Sequence, residues 1–586
     1  MQAVSEKKEM YRNQSIDFVQ RFKHYMEVKF RESESKTTIA FEELTRSAGL
    51  AQLDDERLRE KPKQELWKYS PFMFFVREIG PSDWDNLIRM YQATAKEPYR
   101  REFKDNIEVF KRITRKPIGD DSEVLFTALE KESESLVGRK LTVKRTKTVR
   151  ADGSSRISSS ERLKDGKYFA FETFGSALKD QSQVIFIEQN FIVDFFHASS
   201  LTNQDFVDLI ASDAALRGAR DLHLPKPPDP KREFGHRVQQ AMDEIFHFWP
   251  AEMRSMIEWS VKQDSLNACG MLHAMETQLV QLEDTNQEFL HQTIEKLYDS
   301  LLRQFKSFIQ EQVRAIEDTK VKIKKRKGLI SFMKTFPNFC EALEKMLPPP
   351  STAPRLPEGR SVRAVVDKAY DSANEAMFNT LKLIAKESPL SSLAQPGAAT
   401  GGIPDTEDKE ALNHHILMIE NMHYYLDELA PRESTRDNST LLSWLHRAQQ
   451  EYDTHMSLYL AFIIRRPLGK LLEFLEKVEG HLKEDENPND PPVAQRPMYG
   501  KNQARKSLGG YDVKEIRRGV ETLRKRVEKH FSEGDGGDRL VGLVWEAAEE
   551  AYKQVLQRTE NVCRDVYDGE VEVGWGVGEV AAAFRR

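Results

Sequence analysis

The sequence has little cysteine and no long hydrophobic run, and both shortages exclude classes of protein. Cys269, Cys340 and Cys563 lie far apart, which argues against a disulfide framework or a zinc site and predicts three buried free thiols. No stretch approaches the roughly eighteen uncharged apolar residues of a membrane-spanning helix. The first residues, MQAVSEKKEMYRNQ, lack the apolar segment of a signal peptide. These features predict a cytosolic protein.

The sequence also lacks the short motifs by which many enzymes hold phosphates or nucleophiles. It contains neither a GxxxxGK[ST] phosphate loop nor a GxSxG nucleophile elbow. Gly574, Gly576 and Gly578 have no predicted strand or downstream helix to form a nucleotide site with. A GTPase regulator can act through one exposed arginine, but Arg465 and Arg466 fit a charged helix end better. We therefore predict no catalytic residue, no cofactor and no metal.

The net charge of the chain argues against a nucleic-acid partner. The 586 residues carry a net charge of -6, with 39% hydrophobic and 31% charged residues. A protein that binds nucleic acid usually has a basic domain, so we expect no nucleic-acid partner. At about 150 residues per domain, the length predicts roughly four units, each with its own core.

Apolar residues recur every three or four positions through most of the chain, which is the pattern of amphipathic helices. One such run is FKSFIQEQVRAIEDTKVKI, which begins at Phe305. The segment QVIFIEQNFIVDFFHA, residues 183–198, is predicted to be a buried helix, with a strand at its start as the alternative. Strand-like alternation is nearly missing. The sequence therefore predicts an all-α fold, an elongated rod of tandem antiparallel helical bundles.

Proline-rich and polar stretches divide the predicted helices into four units. An exposed, basic, Ser-rich insertion is expected at about 136–166, where Ser158, Ser159 and Ser160 could accept phosphate. A flexible interruption is expected at about 388–405. The four predicted units are 1–224, 231–347, 361–482 and 511–586.

Two basic runs are the candidate contact surfaces. The first follows the helix at Phe305 and precedes Gly328, which can close a helix in the left-handed conformation. Anionic membranes attract clustered Lys and Arg by about 1 kcal/mol each, although most such runs are solvated faces. The first set comprises Lys320, Lys322, Lys324, Lys325, Arg326 and Lys327. The weaker set comprises Lys514, Arg517, Arg518, Arg524, Lys525, Arg526 and Lys529.

The segment LNHHILMIENMHYYLDEL holds the nearest approach to a metal cluster. Its histidines, His414, His415 and His423, lack the HExxH spacing that places two imidazoles on one helix face. We expect His423 to be a hydrogen-bonded core residue and the other two to be partly exposed. The predicted core stripe of this helix is Leu412, Ile416, Ile419, His423 and Leu426.

Several segments resemble one protein family in the same order along the chain. They are FIEQNFIVDFFHAS, EQVRAIEDTKVKIKKRKGLISFMKTFPNF, MFNTLKLIAKES and LMIENMHYYLDELAP. Through them the chain is similar to the C-terminal region of the fungal exocyst component 1, or Sec-three, family. The resemblance spans most of the chain and implies stacked helical bundles of the kind found in multisubunit tethering complexes.

The resemblance also implies a function. It points to a non-catalytic scaffold that tethers secretory vesicles to the plasma membrane, acting in the cytoplasm at sites of polarised secretion. The implied partners are other exocyst subunits, exocyst component 2 among them. The family's phosphoinositide and Rho-type GTPase contacts belong to a pleckstrin-homology-like domain that we expect to be missing here. The alternatives are a peripheral module that binds anionic membranes through the basic runs and, third, a helical GTPase regulator.

Overall fold

The computed structural model confirms the all-α prediction for the residues it describes. Within those ranges there is no β-strand, and a single bridge joins Thr114 to Tyr168. The predicted insertion at about 136–166, its serines, and nearly all of the predicted interruption at 388–405 lie outside the described residues. The described residues are 2–48, 62–115, 124–127, 167–201, 205–212, 220–322, 328–348, 361–386, 405–484, 493–496, 498–531 and 537–585.

The helices are numbered here in chain order, and two short 3-10 turns, Trp67–Tyr69 and Val493–Gln495, lie between them. None of the described helices is long and apolar enough to cross a membrane. The first nine are α1 (Gln2–Ala48), α2 (Ser70–Ile79), α3 (Pro81–Ile113), α4 (Ala170–Phe195), α5 (Phe206–Ala211), α6 (Arg232–Phe246), α7 (Trp249–Gln263), α8 (Asn267–Leu282) and α9 (Glu288–Lys322). They are followed by α10 (Ser331–Glu344), α11 (Val362–Lys386), α12 (Asp405–Leu429), α13 (Glu433–Arg436), α14 (Ser439–Glu484), α15 (Lys501–Leu508), α16 (Val513–Phe531), α17 (Gly537–Tyr567) and α18 (Val577–Phe584).

The chain forms two compact units that are not continuous in sequence. Unit 1 comprises Met1–Asp121, Lys140–Gln310 and Ala342–Val366. Unit 2 comprises Ser122–Arg139, Glu311–Glu341 and Asp367–Arg586. The finer division into four bundles along a rod stays a prediction.

Helix α4 is the centre of unit 1, as its apolar sequence predicted. It packs against α3, α6, α7 and α8 and is buried on nearly every side. Phe191 and Phe195 stack with their ring centroids 4.9 Å apart, and the Trp67 ring meets Phe191 edge-on at 5.7 Å. A helix that is buried on nearly every side is surrounded by other elements, so α4 fixes where its neighbours can lie.

The core of unit 2 is built on α14, which packs against α12, α16 and α17. Its buried residues include Tyr459, Ile463 and Leu471. Helix α14 continues through Pro467, so Arg465 and Arg466 lie inside a helix, and the prediction of a helix end there is wrong. Apolar contacts on both sides of the proline hold the helix together although the proline removes one backbone hydrogen bond.

Other local predictions can be checked directly. All three cysteines are buried and free, as expected. Gly328 has a φ of 89°, in the left-handed region that favours glycine, and the described part of α9 extends to Lys322. The prediction that no helix follows the glycines near the end of the chain is wrong, because Gly576 caps α18. The Gly576 N–H donates to Glu579 Oε2 at 3.0 Å, so a carboxylate occupies the N-terminus of this helix.

Candidate contact surface on helix α16

The first basic set stays a prediction. Lys320 and Lys322 belong to the last turn of α9, but their side chains are outside what the structure describes. Lys324, Lys325, Arg326 and Lys327 are outside the described residues altogether. The geometry that follows therefore concerns the second set, on α16.

Helix α16 forms because its sequence supplies both a cap and a core stripe. The Asp512 carboxylate accepts the Glu515 N–H at 2.8 Å, which satisfies a backbone donor that the first turn leaves free. The stripe recurs every three or four positions and is buried in unit 2, which places the remaining residues in water. Its members are Ile516, Val520, Leu523, Val527 and Phe531.

The basic residues of α16 lie on the side away from this stripe. At 100° per residue, Lys514, Arg518, Lys525 and Lys529 fall close to one line directly opposite the core. All four are exposed. The line is about 22 Å long at about 1.5 Å per residue. Of the remaining members, Arg517 and Arg524 are exposed on one flank, and Arg526 is half-buried on the other.

Carboxylates within the helix neutralise part of this surface. Lys525 Nζ lies 2.9 Å from Glu521 Oε1, and Arg524 Nε lies 3.0 Å from Glu528 Oε1. The hydrogen bond from Lys525 lowers the pKa of the Glu521 carboxyl. The positive charge that these carboxylates do not neutralise belongs to the basic residues of α16 that form no ion pair with any described residue. These are Lys514, Arg517, Arg526 and Lys529.

A histidine cluster in unit 2 is the second notable polar feature. His414 and His415 on α12 meet His455 on α14, and each of the three rings lies 5.1–5.4 Å from the other two. His415 Nδ1 and His455 Nδ1 are 2.8 Å apart. Each of these three described residues offers one ring nitrogen to a metal ion, and the three nitrogens all lie within 4.8 Å of one another. Sequence reasoning missed His455 because it is 40 residues away on another helix.

His423 is not part of the cluster, and its predicted place in the core is wrong. It is half-buried, 6.1 Å from the Tyr452 ring between centroids. Met422 and Tyr425 are fully buried instead. Leu412, Ile416 and Ile419 of the predicted stripe are buried, but the buried side of α12 is broader than that stripe, because α12 also meets residues of α10 and α11 such as Phe336 and Phe378.

Comparison with known proteins identifies the family. The family model described as exocyst complex component Sec3, C-terminal, matches residues 195–569, well over half of the chain. The chain belongs to the Sec3 C-terminal family. The family predicted from the sequence is thereby confirmed, while its fungal branch stays a prediction. Helices α12, α14 and α16 all lie within the matched region.

Two relatives extend the family match to nearly the whole chain. Exocyst complex component 1 of Mus musculus is 24% identical over 530 residues, which cover 86% of this chain and 55% of the relative. The Drosophila melanogaster protein of the same name is 22% identical over 537 residues, covering 89% of this chain and 54% of the relative. The chain thus spans about half the length of the curated relatives it matches.

Among solved structures, S. cerevisiae Exo70 is similar over 90% of this chain and 87% of its own. The sequence identity is 10% and the TM-score is 0.37. A similarity this weak adds nothing to the family assignment, which rests on the sequence matches.

Proposed function

We propose that this chain is a non-catalytic subunit of the exocyst that helps to tether secretory vesicles to the plasma membrane before fusion. The match of the Sec3 C-terminal family model to residues 195–569 is the observation that carries the proposal. The two animal relatives that share the name exocyst complex component 1 support the same complex. On this proposal the chain works in the cytoplasm, beside the plasma membrane.

The use of buried charge supports a scaffold. Catalytic sites commonly hold ionisable groups with unusual pKa values in a cleft. In unit 1 the Glu188 carboxylate is instead enclosed by Lys63, Tyr91 and Tyr99. Arg363 Nη1 and Glu344 Oε1, 2.7 Å apart, likewise pair at a largely buried position. These groups are engaged in holding distant parts of the chain together, which is a structural use of buried charge.

The mechanism we propose is geometric. Long helices with continuous apolar contacts keep surfaces at a fixed spacing, as α14 does over 46 residues, or about 70 Å. Other exocyst subunits, exocyst component 2 among them, would bind surfaces displayed on such helices. Affinity in such contacts comes from a few buried anchors, while charged faces mainly speed association.

Copurification tests the proposal. The tagged chain, expressed in its own source cells, is expected to recover other exocyst subunits identified by mass spectrometry. The control is an unrelated helical protein that carries the same tag and is expressed at the same level. Recovery of no exocyst subunit above the control would contradict the proposal.

The basic line on α16 favours a second candidate function, a peripheral membrane contact. Four exposed cations along about 22 Å of one helix suit an anionic lipid surface, which contributes about 1 kcal/mol for each Lys or Arg near it. This function is compatible with a scaffold, since a tether has to approach the plasma membrane. The contact would be electrostatic and therefore weaker at high salt.

Cosedimentation with liposomes tests the membrane contact. The chain is expected to bind vesicles that contain phosphatidylserine, and not neutral phosphatidylcholine vesicles. Lys514→Glu with Lys529→Glu should weaken binding by about tenfold or more, because it removes two attractions and adds two repulsions. The matched control is Arg101→Glu with Lys104→Glu, on an exposed face of α3 in unit 1, which changes the net charge equally. Equal binding by both variants would contradict a role for α16.

A further inference from the structure

We propose that His414, His415 and His455 form a binding site for a divalent transition-metal ion of the Zn²⁺ class. The sequence analysis predicted no metal site, because His414, His415 and His455 follow no short-range motif. The proposal rests on their placement in unit 2, where α12 and α14 pack together and bring three imidazoles to one point. It is independent of the exocyst proposal.

The donor set suits this class of ion. Three imidazole nitrogens with one remaining position are a common arrangement around Zn²⁺, and imidazole also suits Cu²⁺ and Ni²⁺. Hard cations such as Mg²⁺ and Ca²⁺ prefer oxygen ligands. The rings of His414 and His415 are half-buried, which leaves a side open to solvent through which an ion and a water ligand can enter.

The distances come close to those of a metal site. Two nitrogens bound tetrahedrally to one Zn²⁺ at about 2.0–2.1 Å lie roughly 3.3 Å apart. The His415 and His455 Nδ1 atoms are 2.8 Å apart, so they would separate slightly around an ion. The ligand atoms of the whole group lie within 4.8 Å of one another, so the third nitrogen would have to move inward by up to about 1.5 Å.

A carboxylate lies beside the ring nitrogen of His455 that is not turned toward His415. His455 Nε2 is 3.6 Å from Glu451 Oε2, which is longer than a hydrogen bond but close enough for the negative charge to act on the ring. Metal-binding imidazoles commonly have a carboxylate on this side, at hydrogen-bond distance. Glu451 is itself fixed by Lys382, whose Nζ lies 2.5 Å from Glu451 Oε1.

The three imidazoles come from two different helices, His414 and His415 from α12 and His455 from α14. A bound ion would join α12 to α14 and stabilise unit 2.

Calorimetric titration of the full chain with ZnCl2 tests the site. The protein should carry no polyhistidine tag and should first be dialysed against a chelator. We expect one Zn²⁺ per chain, a higher unfolding temperature with Zn²⁺, and neither effect with MgCl2. His455→Gln should weaken binding by at least about tenfold and abolish the rise in unfolding temperature. The control, His446→Gln, changes an exposed histidine of the same helix and should bind as the parent does.

A second variant and a spectroscopic signal keep the test decisive if His455→Gln does not fold. His415→Gln alters a half-buried ring and should fold while losing Zn²⁺ affinity. Co²⁺ bound to the parent chain should give the intense visible absorption of a four-coordinate site, and His415→Gln should not. No Zn²⁺ binding by the parent, or equal binding by His415→Gln and His446→Gln, would overturn the proposal.

Discussion

Helices α4 and α16 differ in whether their polar residues are buried and in where the partners of those residues lie. Along α4, in unit 1, Gln181, Glu188 and Asn190 are fully buried. Their partners come from distant parts of the chain: Gln181 Oε1 accepts from Trp249 Nε1 at 2.8 Å, and Asn190 Nδ2 donates to the Leu222 carbonyl at 2.8 Å. Along α16, in unit 2, most charged residues lie in water, and those with a described ion pair form it within the same helix, three or four positions apart.

The difference shows what a buried polar residue requires. A polar group without water must find a hydrogen-bond partner in the protein, and an unpaired one costs about 1–3 kcal/mol. Although burial by itself raises the pKa of the Glu188 carboxyl, Lys63 and the hydroxyls of Tyr91 and Tyr99 bring it below its ordinary value. Helix α4 therefore depends on distant residues, whereas α16 needs only its own neighbours and an apolar surface to rest on.

The largest expected effect comes from removing the partner of Glu188. Lys63→Met leaves a buried carboxylate with two tyrosine hydroxyls and no cation, and should lower the free energy of unfolding by about 3–5 kcal/mol. Urea unfolding followed by circular dichroism measures the change. The matched control, Lys525→Met on α16, breaks an exposed pair and should leave the midpoint unchanged.

A double variant sharpens the same comparison. Lys63→Met combined with Glu188→Gln removes both charges, so it should recover part of the stability that Lys63→Met loses. If Lys63→Met and Lys525→Met had equal midpoints, the contrast between the two helices would be wrong.

The next largest effect is a pH dependence near the end of α4. Burial, with Arg220 and Arg77, lowers the pKa of His197 to about 4. The unfolded chain takes up this proton near pH 6.5, while the folded chain does not until about pH 4. Stability should therefore fall as the pH is lowered between these values, by up to about 1.4 kcal/mol per pH unit.

Urea midpoints measured from pH 7 to pH 4 test this expectation. His197→Gln retains a polar side chain beside the Ser70 hydroxyl, which lies 3.0 Å from His197 Nε2 in the parent, but it cannot take up the proton. Its midpoints should fall less steeply with acid than those of the parent. Parallel curves would show that His197 does not supply the slope.

The smallest expected effect concerns two glycines. A Cβ at Gly270 of α8 would lie 2.5–2.8 Å from ring and Cβ atoms of Phe171 on α4. Overpacking of this kind costs about 1–3 kcal/mol, and the better helix propensity of alanine offsets up to about 1 kcal/mol of it. Gly270→Ala should therefore be destabilising by about 1–2 kcal/mol in thermal or urea unfolding.

Gly542 is the matched control. It is exposed on α17, and a Cβ there would meet nothing within 4 Å. Gly542→Ala should stabilise the chain by about 0.5–1 kcal/mol, because alanine has less backbone freedom to lose than glycine. A destabilising Gly542→Ala would contradict the open space around this position.

How much of a helix can be predicted from the sequence also depends on whether the helix is packed on one side or on several. The core stripe of α16, from Ile516 to Phe531, could be predicted because its period alone separates the buried side from the wet one. The stripe of α12 was misplaced at His423, since that helix is packed on more than one side and several rotations give a plausible stripe. The helix end predicted at Arg465 and Arg466 is wrong, because the surrounding core holds α14 together through Pro467.

By itself, the sequence determined that the chain is helical, that its cysteines stay free, and which family it belongs to. These properties depend on residue type and on spacing over a few turns, which are visible along the chain. Only the tertiary structure decided that Glu188 is enclosed by Lys63, Tyr91 and Tyr99, and that His455 meets His414 and His415. Such groups join residues 40 to 125 positions apart, and packing of whole helices sets which of their side chains meet.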